Sequence, residues 1–386
     1  MQIATCNVII AFMLMKQGFR MGLRLKVARQ RVGLTQQQLA DALGLGHRQT
    51  LARIESGERR LSAQELIGAM SILGVDLDYF TDPFQLVGEG QFSFRTTTDV
   101  AGAVLDDFEH RAGCWIAMYR ELSTEQGHQQ RWLEFKLALT AKSSFEDAQA
   151  AGEWVADRWQ LGSCPAATLR SAMEDRASIL VLHVDAPHGI SGAASRVPGL
   201  NCVFVSRGDS DGRRNFDSAH ELFHLLTWDT MPPARTDAVD IPRDGNGWRV
   251  ERLAENFAAA LLMPEAILRG HWEGRAMLVD FHDRINGIAD ALRVSGVACK
   301  WRLYNLGLLS KAELDCIDDR RIGTNGRTSA VARDALPFSR SFIDRIATAL
   351  DTGRLSVRRT ASLLDLPLPD LASLLRDYGR EPYFEA

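Results

Sequence analysis

Ser218-Ala219-His220-Glu221-Leu222-Phe223-His224-Leu225-Leu226 is the stretch that decides the fold of the central part of the chain. On a helix, His220 and His224 lie one turn apart on the same face, so both imidazoles can reach one metal ion. Glu221 projects to the side, where its carboxylate can act as a general base. Glu251 can supply a third ligand from a second amphipathic helix, and Glu255, one turn later, is expected to accept the spare N–H of a ligand histidine.

Isolated His-Glu-x-x-His matches occur by chance in long helices, so the motif alone is weak evidence of a metal site. A Glu-x-x-x-Glu helix at a workable distance makes chance a poor explanation of both features. The sequence therefore predicts one Zn²⁺ per chain, bound by His220, His224 and Glu251, with Glu221 as the catalytic base.

The composition indicates a folded protein of several domains. Its 386 residues suffice for about two or three domains, and the 46% of hydrophobic residues is ample for a core. A net charge of −4 does not mark the whole chain as a nucleic-acid binder. The six cysteines form no Cys-x-x-Cys pair, which favours reduced thiols in a cytoplasmic protein over a disulfide framework or a cysteine-based zinc site.

Residues 1–20 contain an apolar run that is too short to span a membrane and is not preceded by a basic residue. We expect a loose extension or a mis-assigned translation start, with no targeting segment and no contact with a membrane. The predicted location is therefore the cytoplasm.

The sequence pattern of residues 21–82 predicts a bundle of five short helices. A basic amphipathic helix over 23–32 ends at a glycine, Thr35 caps the next helix, and Ser62 and Glu65 have the spacing of a capping box. Between positions 20 and 60 there are nine basic and only three acidic side chains. This local excess favours DNA binding over a bundle used only for protein contacts, because phosphate contacts supply much of the affinity for DNA.

The phrases ARQRVGLTQQQLADALGL, LARIESGERRLS and ILGVDLDYF, within residues 23–80, resemble Xre-type (lambda-repressor-like) helix-turn-helix domains. The resemblance implies that Gln36 and Gln38 open the positioning helix. It also implies that residues near the start of the third helix face the major groove of double-stranded DNA: Arg48, Gln49, Thr50 and Arg53. Gln and Arg side chains suit this task because they can form bidentate hydrogen bonds with adenine and guanine edges.

Residues 83–143 predict a helical linker region, whose aromatic residues we expect to pack in a core or against a partner. For residues 144–322, the sequence predicts helices around a small sheet, with one strand directly before the helix that carries the His-Glu-x-x-His motif. Such a sheet can hold an extended peptide beside a metal by backbone pairing at a strand edge.

The phrases LVLHV, GISG, CVFVSR, FDSAHELFHLL, ERLAENFAAALLMP and IADALRVSGVACKWRLYNLGLL resemble ImmA/IrrE-type metallopeptidases over residues 145–310. The resemblance implies that His220 and His224 are metal ligands, that Glu251 is the downstream ligand and that Glu221 is the catalytic base. It also implies a partner transcriptional repressor as the substrate, in a response to stress or DNA damage. Nothing in the sequence selects an oxyanion stabiliser from His183, His188, Arg302 and Tyr304.

Residues 323–386 predict a short helical module after a polar, glycine-containing linker. The module has helix-turn-helix character, and it could contact DNA, a partner or the peptidase domain.

The predicted fold class is mainly α with a small mixed sheet (α+β): an N-terminal five-helix bundle, a central zincin-like metallopeptidase domain and a C-terminal helical module. The predicted function is a DNA-binding transcriptional regulator with a zinc-dependent endopeptidase domain that hydrolyses a partner repressor in a stress or mobile-element response. Two alternatives stay open: a regulator whose metal site is sensory or structural, and a component of a toxin–antitoxin pair. The oligomeric state also stays open, although a homodimer suits a palindromic operator.

Overall fold

The computed structural model describes residues 18–96, 99–128, 133–237, 246–278, 280–323, 325 and 335–384. Most of the predicted N-terminal extension and most of the predicted linker before the C-terminal module lie outside these residues. Within them, every helix falls short of the length or the hydropathy that crossing a bilayer requires. The chain divides into two compact units, one ending at Gly90 but including His110–Glu121, the other comprising Gln91–Glu109 and the residues from Leu122 onwards.

The first unit begins with the five predicted helices. They are α1 (18–31), α2 (Gln36–Ala42), α3 (Arg48–Glu55), α4 (Ala63–Leu73) and α5 (Leu77–Thr81). Capping boxes start α2 at Thr35 and α4 at Ser62, as the sequence predicts. The helices enclose a core that includes Leu25, Leu51 and Phe80.

A buried ion pair ties three of these helices together. The Arg29 guanidinium donates to both carboxylate oxygens of Glu55, at 2.6 and 3.2 Å, and also to the Leu34 carbonyl oxygen at 2.7 Å. Gln36 donates to the same Glu55 carboxylate at 2.8 Å. Since the Arg29 and Glu55 side chains are only 9% and 3% exposed, α1, α2 and α3 share one desolvated polar cluster.

The second unit contains a five-stranded mixed sheet of order β2-β4-β3-β1-β5. The strands are β1 (Gln91–Thr96), β2 (Ile179–Val184), β3 (Ile190–Val197), β4 (Leu200–Ser206) and β5 (Thr236–Asp237). β2 and β4 are parallel, whereas β3 is antiparallel to both of its neighbours, β4 and β1. The small mixed sheet that the sequence predicts is therefore confirmed, with more strands than the sequence shows.

β1 lies in the region that the sequence predicts as a helical linker. Its residues alternate: Phe92 and Phe94 face one side of the sheet, where Phe94 contacts Phe108 with ring centroids 5.9 Å apart and Phe92 stacks on Phe204 at 6.4 Å. This period-2 pattern is six residues long, too short to stand out beside the long helix that follows it. That helix is α6 (Gly102–Glu125), which confirms the helical part of the prediction.

Helices cover the sheet and form most of the second unit. They are α7 (Phe145–Arg158), α8 (Pro165–Ala177), α9 (Asp211–Thr227), α10 (Asn246–Leu262), α11 (Glu265–Glu273), α12 (Phe281–Leu292), α13 (Gly296–Asn305), α14 (Lys311–Asp315) and α15 (Asp319–Ile322). α10 packs closely on α7 at Gly152, where an added Cβ would lie 2.4 Å from the Phe257 carbonyl oxygen. Only glycine fits at this crossing.

The C-terminal module consists of α16 (Arg340–Asp351), α17 (Val357–Leu364) and α18 (Leu368–Asp377). It belongs to the same compact unit as the sheet. The Phe338 amide donates to the His183 carbonyl oxygen of β2 at 2.8 Å, and Arg354 forms two hydrogen bonds of 2.7 Å with Glu125. Of the three contacts that the sequence left open for this module, the structure contains the one with the predicted peptidase domain, at His183.

We expect Glu55→Ala to lower the free energy of unfolding of the first unit by about 3–5 kcal/mol, because it leaves the Arg29 guanidinium buried without its carboxylate. Backbone amides of α1–α3 in the full chain should then exchange hydrogen about 100-fold faster or more, as measured by mass spectrometry. Glu58→Ala is the matched control, since the exposed Arg53–Glu58 pair spans 3.6 Å. Equal exchange in the two variants would contradict a structural role for the buried pair.

Candidate functional site

α9 carries the two histidines of the motif on its buried face. Every residue from Asp217 to Thr227 is buried, and His220 and His224 are 0% exposed. Their rings lie one turn apart with centroids separated by 4.9 Å, and their Nε2 atoms are 3.1 Å from each other. Both imidazoles therefore present the same nitrogen to one point.

α10 brings Glu251 to that point. One carboxylate oxygen lies 3.0 Å from His220 Nε2, and the other lies 3.4 Å from His224 Nε2. A zinc ion with bonds of about 2.0–2.1 Å in tetrahedral geometry holds its donor atoms about 3.3 Å apart. The three distances fit such an ion, and in the described part of the chain these three side chains form the group that could hold one.

The surroundings keep the two histidines neutral. Burial lowers the pKa of His220 well below its usual value, and the positive charges of Arg95 and Arg213 act in the same direction. Burial also lowers the pKa of His224, to about 4, although the Glu251 carboxylate opposes this shift. A neutral imidazole is the form that binds a metal.

Glu221 is 1% exposed and lies against β3. A Cβ added at Gly192 would be 3.1 Å from Glu221 Oε1 and 3.5 Å from its Cγ. The absence of a side chain at Gly192 thus lets the backbone of β3 pass directly beside the predicted base.

The structure does not place Glu255 as the sequence predicts. Its carboxylate accepts a hydrogen bond of 2.5 Å from Arg252, three residues earlier on the exposed side of α10. The Nδ1 atoms of His220 and His224 are buried and have no hydrogen-bond partner within the described ranges. Helical spacing correctly predicts Glu255 one turn after Glu251, but the Glu255 carboxylate is hydrogen-bonded to Arg252 and not to a histidine.

An ion cluster on α9 was missed from the sequence. The Asp217 carboxylate, 0% exposed, accepts from Arg95 Nη1 at 2.9 Å and from Arg213 Nε at 3.0 Å. Arg213 and Asp217 are one turn apart just before the motif, a spacing that the sequence does contain. Arg95 lies on β1, more than a hundred positions away, and nothing local connects it with the motif.

Two of the oxyanion candidates are engaged elsewhere. The buried Arg302 guanidinium donates to Gln149, Glu153 and the Met263 carbonyl oxygen, which makes it a bridge between helices. His183 Nδ1 lies 3.3 Å from Arg170, and burial lowers its pKa to about 3.

In the first unit, α3 exposes the residues expected to read DNA. Arg48, Gln49 and Arg53 are exposed, and Thr50 is half-buried. Gln36 and Gln38 on α2 instead make hydrogen bonds within the unit. Gln38 closes the capping box with Thr35, and Gln36 donates to Glu55.

Two separate parts of the chain match known protein families. The family model described as helix-turn-helix matches residues 25–80, and the model described as IrrE N-terminal-like domain matches residues 174–304. Curated proteins gave no match. Among solved structures, the chain matches the Bacillus thuringiensis protein PlcR, solved in complex with the peptide PapR7 and DNA, at 12% identity, over 93% of this chain and 99% of that one, with a TM-score of 0.16.

The two family matches fall on the parts of the chain that carry the exposed α3 and the His220–His224–Glu251 cluster. The chain is therefore similar to helix-turn-helix domains over residues 25–80 and to IrrE N-terminal-like, metallopeptidase-like domains over residues 174–304.

Proposed function

We propose that this protein is a DNA-binding transcriptional regulator whose second unit is a zinc-dependent endopeptidase, acting on a partner repressor in a stress or mobile-element response. The observation that carries the proposal is the convergence of three ligand atoms beside a buried carboxylate. His220, His224 and Glu251 fit the edges of one tetrahedral site, and Glu221 is the next residue on the same helix.

A zinc ion at this site would act as a Lewis acid that polarises a peptide carbonyl and makes water nucleophilic near neutral pH. His220 and His224 provide neutral nitrogen donors, and Glu251 provides the carboxylate that offsets part of the positive charge. Glu221 takes a proton from the attacking water at its carboxylate and delivers it to the leaving amine. The packing around α9 holds these groups in place and keeps bulk water away from them.

The DNA-binding half of the proposal rests on α3. Its exposed face carries Arg48, Gln49 and Arg53, which have the hydrogen-bonding groups required to read bases in the major groove. Gln36 and Gln38, already bonded within the unit, act in this proposal by fixing the orientation of α2 relative to the DNA backbone. A homodimer would present two such helices to a palindromic operator.

One observation favours the alternative in which the metal site is sensory or structural. The histidines are 0% exposed and Glu221 is 1% exposed, and of the four site residues only the Glu251 side chain, at 18%, is partly exposed. A site this deeply buried is compatible with a regulator, including one of toxin–antitoxin type, that binds a metal but does not cleave a protein.

We expect Glu221→Gln to retain one zinc per chain but to abolish peptide cleavage, because the amide keeps the shape of the side chain without its basicity. Zinc is measured by plasma mass spectrometry of the purified full chain. Cleavage is measured by mass spectrometry as new termini in a library of proteome-derived peptides. His224→Ala is the companion variant that should lose the metal as well as the activity.

Cleavage that persists in Glu221→Gln, or zinc that persists in His224→Ala, would contradict the proposed site. Zinc bound by the unaltered chain, with no peptide cleaved at all, would favour the sensory or structural alternative.

For the DNA-binding domain, we expect Gln49→Ala to weaken binding to a selected DNA duplex by about 5- to 150-fold, since a bidentate base contact contributes about 1–3 kcal/mol. The duplex is obtained by selection from a random pool with the unaltered chain, and affinity is measured by fluorescence anisotropy at fixed salt. Gln37→Ala is the control, because Gln37 is exposed on α2 and bonded to Asp41. Equal losses in both variants would mean that α3 is not the reading helix.

A further inference from the structure

The side of β3 that does not pair with β4 is already occupied by another strand of the chain. β3 passes beside Glu221 at Gly192, so an extended peptide entering the site would add to β3 on the side away from β4. β1 lies on that side. It runs antiparallel to β3 over Gln91–Thr96, and Arg95 is the residue directly opposite Gly192.

β1 is fastened to α9 at two points. Gln91 Oε1 accepts a hydrogen bond of 3.0 Å from Trp228 Nε1 at the end of α9. Arg95 Nη1 donates to Asp217 at 2.9 Å, one turn before Glu221. In an antiparallel pair, alternate residues share a face, so Gln91, Ser93 and Arg95 point toward the motif helix while Phe92 and Phe94 point away.

Among the described residues, the outer edge of β1 pairs with β5 near its end. Phe94 and Arg95 align with Thr236 and Asp237 of β5, and the Phe94 amide donates to the Arg235 carbonyl oxygen at 2.9 Å. At Phe94 and Arg95, the β1 backbone is therefore paired with β3 on one side and with β5 on the other. This part of β1 lies opposite Gly192, the β3 residue beside Glu221. It has the direction and the contacts of an extended peptide bound at the strand edge.

We propose that β1 occupies the place of the substrate on β3, so that the peptidase is held closed by its own chain and opens when β1 leaves. This inference rests on the proposed peptidase function. It also defines a substrate class: an unstructured, extended segment that pairs antiparallel with β3, with the residue opposite Gly192 nearest to Glu221. β1 is contributed by residues outside the matched peptidase domain, at positions that directly follow the DNA-binding unit.

The rival explanation is that β1 is a permanent strand of the sheet. Phe92 and Phe94 are buried in an aromatic group with Phe108 and Phe204, so the departure of β1 would expose apolar surface. The closed arrangement is thus the resting one in either explanation. The two differ in whether β1 must separate from β3 for a peptide to bind.

A reversible lock tests this difference in the full chain. Gln91 and Arg196 are cross-strand partners near the solvent-exposed end of the pair, so Gln91→Cys with Arg196→Cys can form a disulfide. We expect the oxidised lock to lower cleavage of the peptide library at least tenfold and reduction to restore it. The matched control is Ser195→Cys, which can pair with the native Cys202 and pins β3 to β4 instead. Its oxidation should leave cleavage unchanged.

A second variant, in which β1 is unfastened from α9, tests the effect of releasing β1. Gln91→Ala with Arg95→Ala removes both contacts to α9 and keeps the aromatic residues. We expect at least tenfold faster cleavage of the library than with the unaltered chain. A readout independent of activity uses the same variants with Glu221→Gln added. A fluorescent peptide with the sequence of residues 89–96 should bind the unfastened chain at least tenfold more tightly than the unaltered one and should not bind the oxidised lock.

The outcomes separate this inference from the proposed function. If the peptide binds more tightly to the unfastened variant and not to the oxidised lock, but no variant cleaves peptides, the peptidase would be overturned. β1 would remain the occupant of the β3 edge. Glu221-dependent cleavage that is indifferent to both changes would keep the peptidase and establish β1 as a permanent strand. Neither cleavage nor peptide binding in any variant would overturn both.

Discussion

The packing of α10 against α9 is the constraint on which the second unit depends. It places the Glu251 carboxylate against two imidazole nitrogens that are themselves only 3.1 Å apart, inside a core from which water is largely excluded. Buried polar atoms are costly unless they are bonded or coordinated. A cation shared by the three groups would satisfy them together, so the same contacts that define a metal site also make that site stabilise the fold.

The sequence predicts the parts of this arrangement that depend on local spacing. The histidines and Glu221 follow from the period of one helix, and Glu251 follows from a second amphipathic helix within reach. In the first unit, the capping residues Thr35 and Ser62 mark helix starts that the structure contains. These features need no knowledge of distant residues, because helix geometry alone fixes which side chains share a face.

The features that the sequence did not predict depend on contacts between distant segments. Arg95 reaches Asp217 only because β1 joins the sheet beside β3. The alternation of apolar and polar residues in a strand of six residues is too short to predict that pairing from the sequence. For Glu255, the sequence predicts the position on α10 but not the hydrogen-bond partner. Its carboxylate could accept from a histidine N–H or from the neighbouring Arg252, and helical spacing does not determine which of the two it contacts. Likewise, the hydrogen bond from Gln36 to the buried Glu55 joins two helices, so the spacing within one helix does not reveal it.

If β1 occupies the place of the substrate, as we propose, its position in the chain makes these contacts a means of regulation. The strand begins at Gln91, directly after the first stretch of the first unit ends at Gly90, and its Arg95 lies opposite Gly192, which is beside the predicted base. A ligand can shift an equilibrium between closed and open states only by binding one of them more tightly. DNA or a partner repressor that favours the state with β1 released would therefore activate the peptidase without touching the metal ligands. In such a protein, the connection between the two domains would itself be the element through which one controls the other.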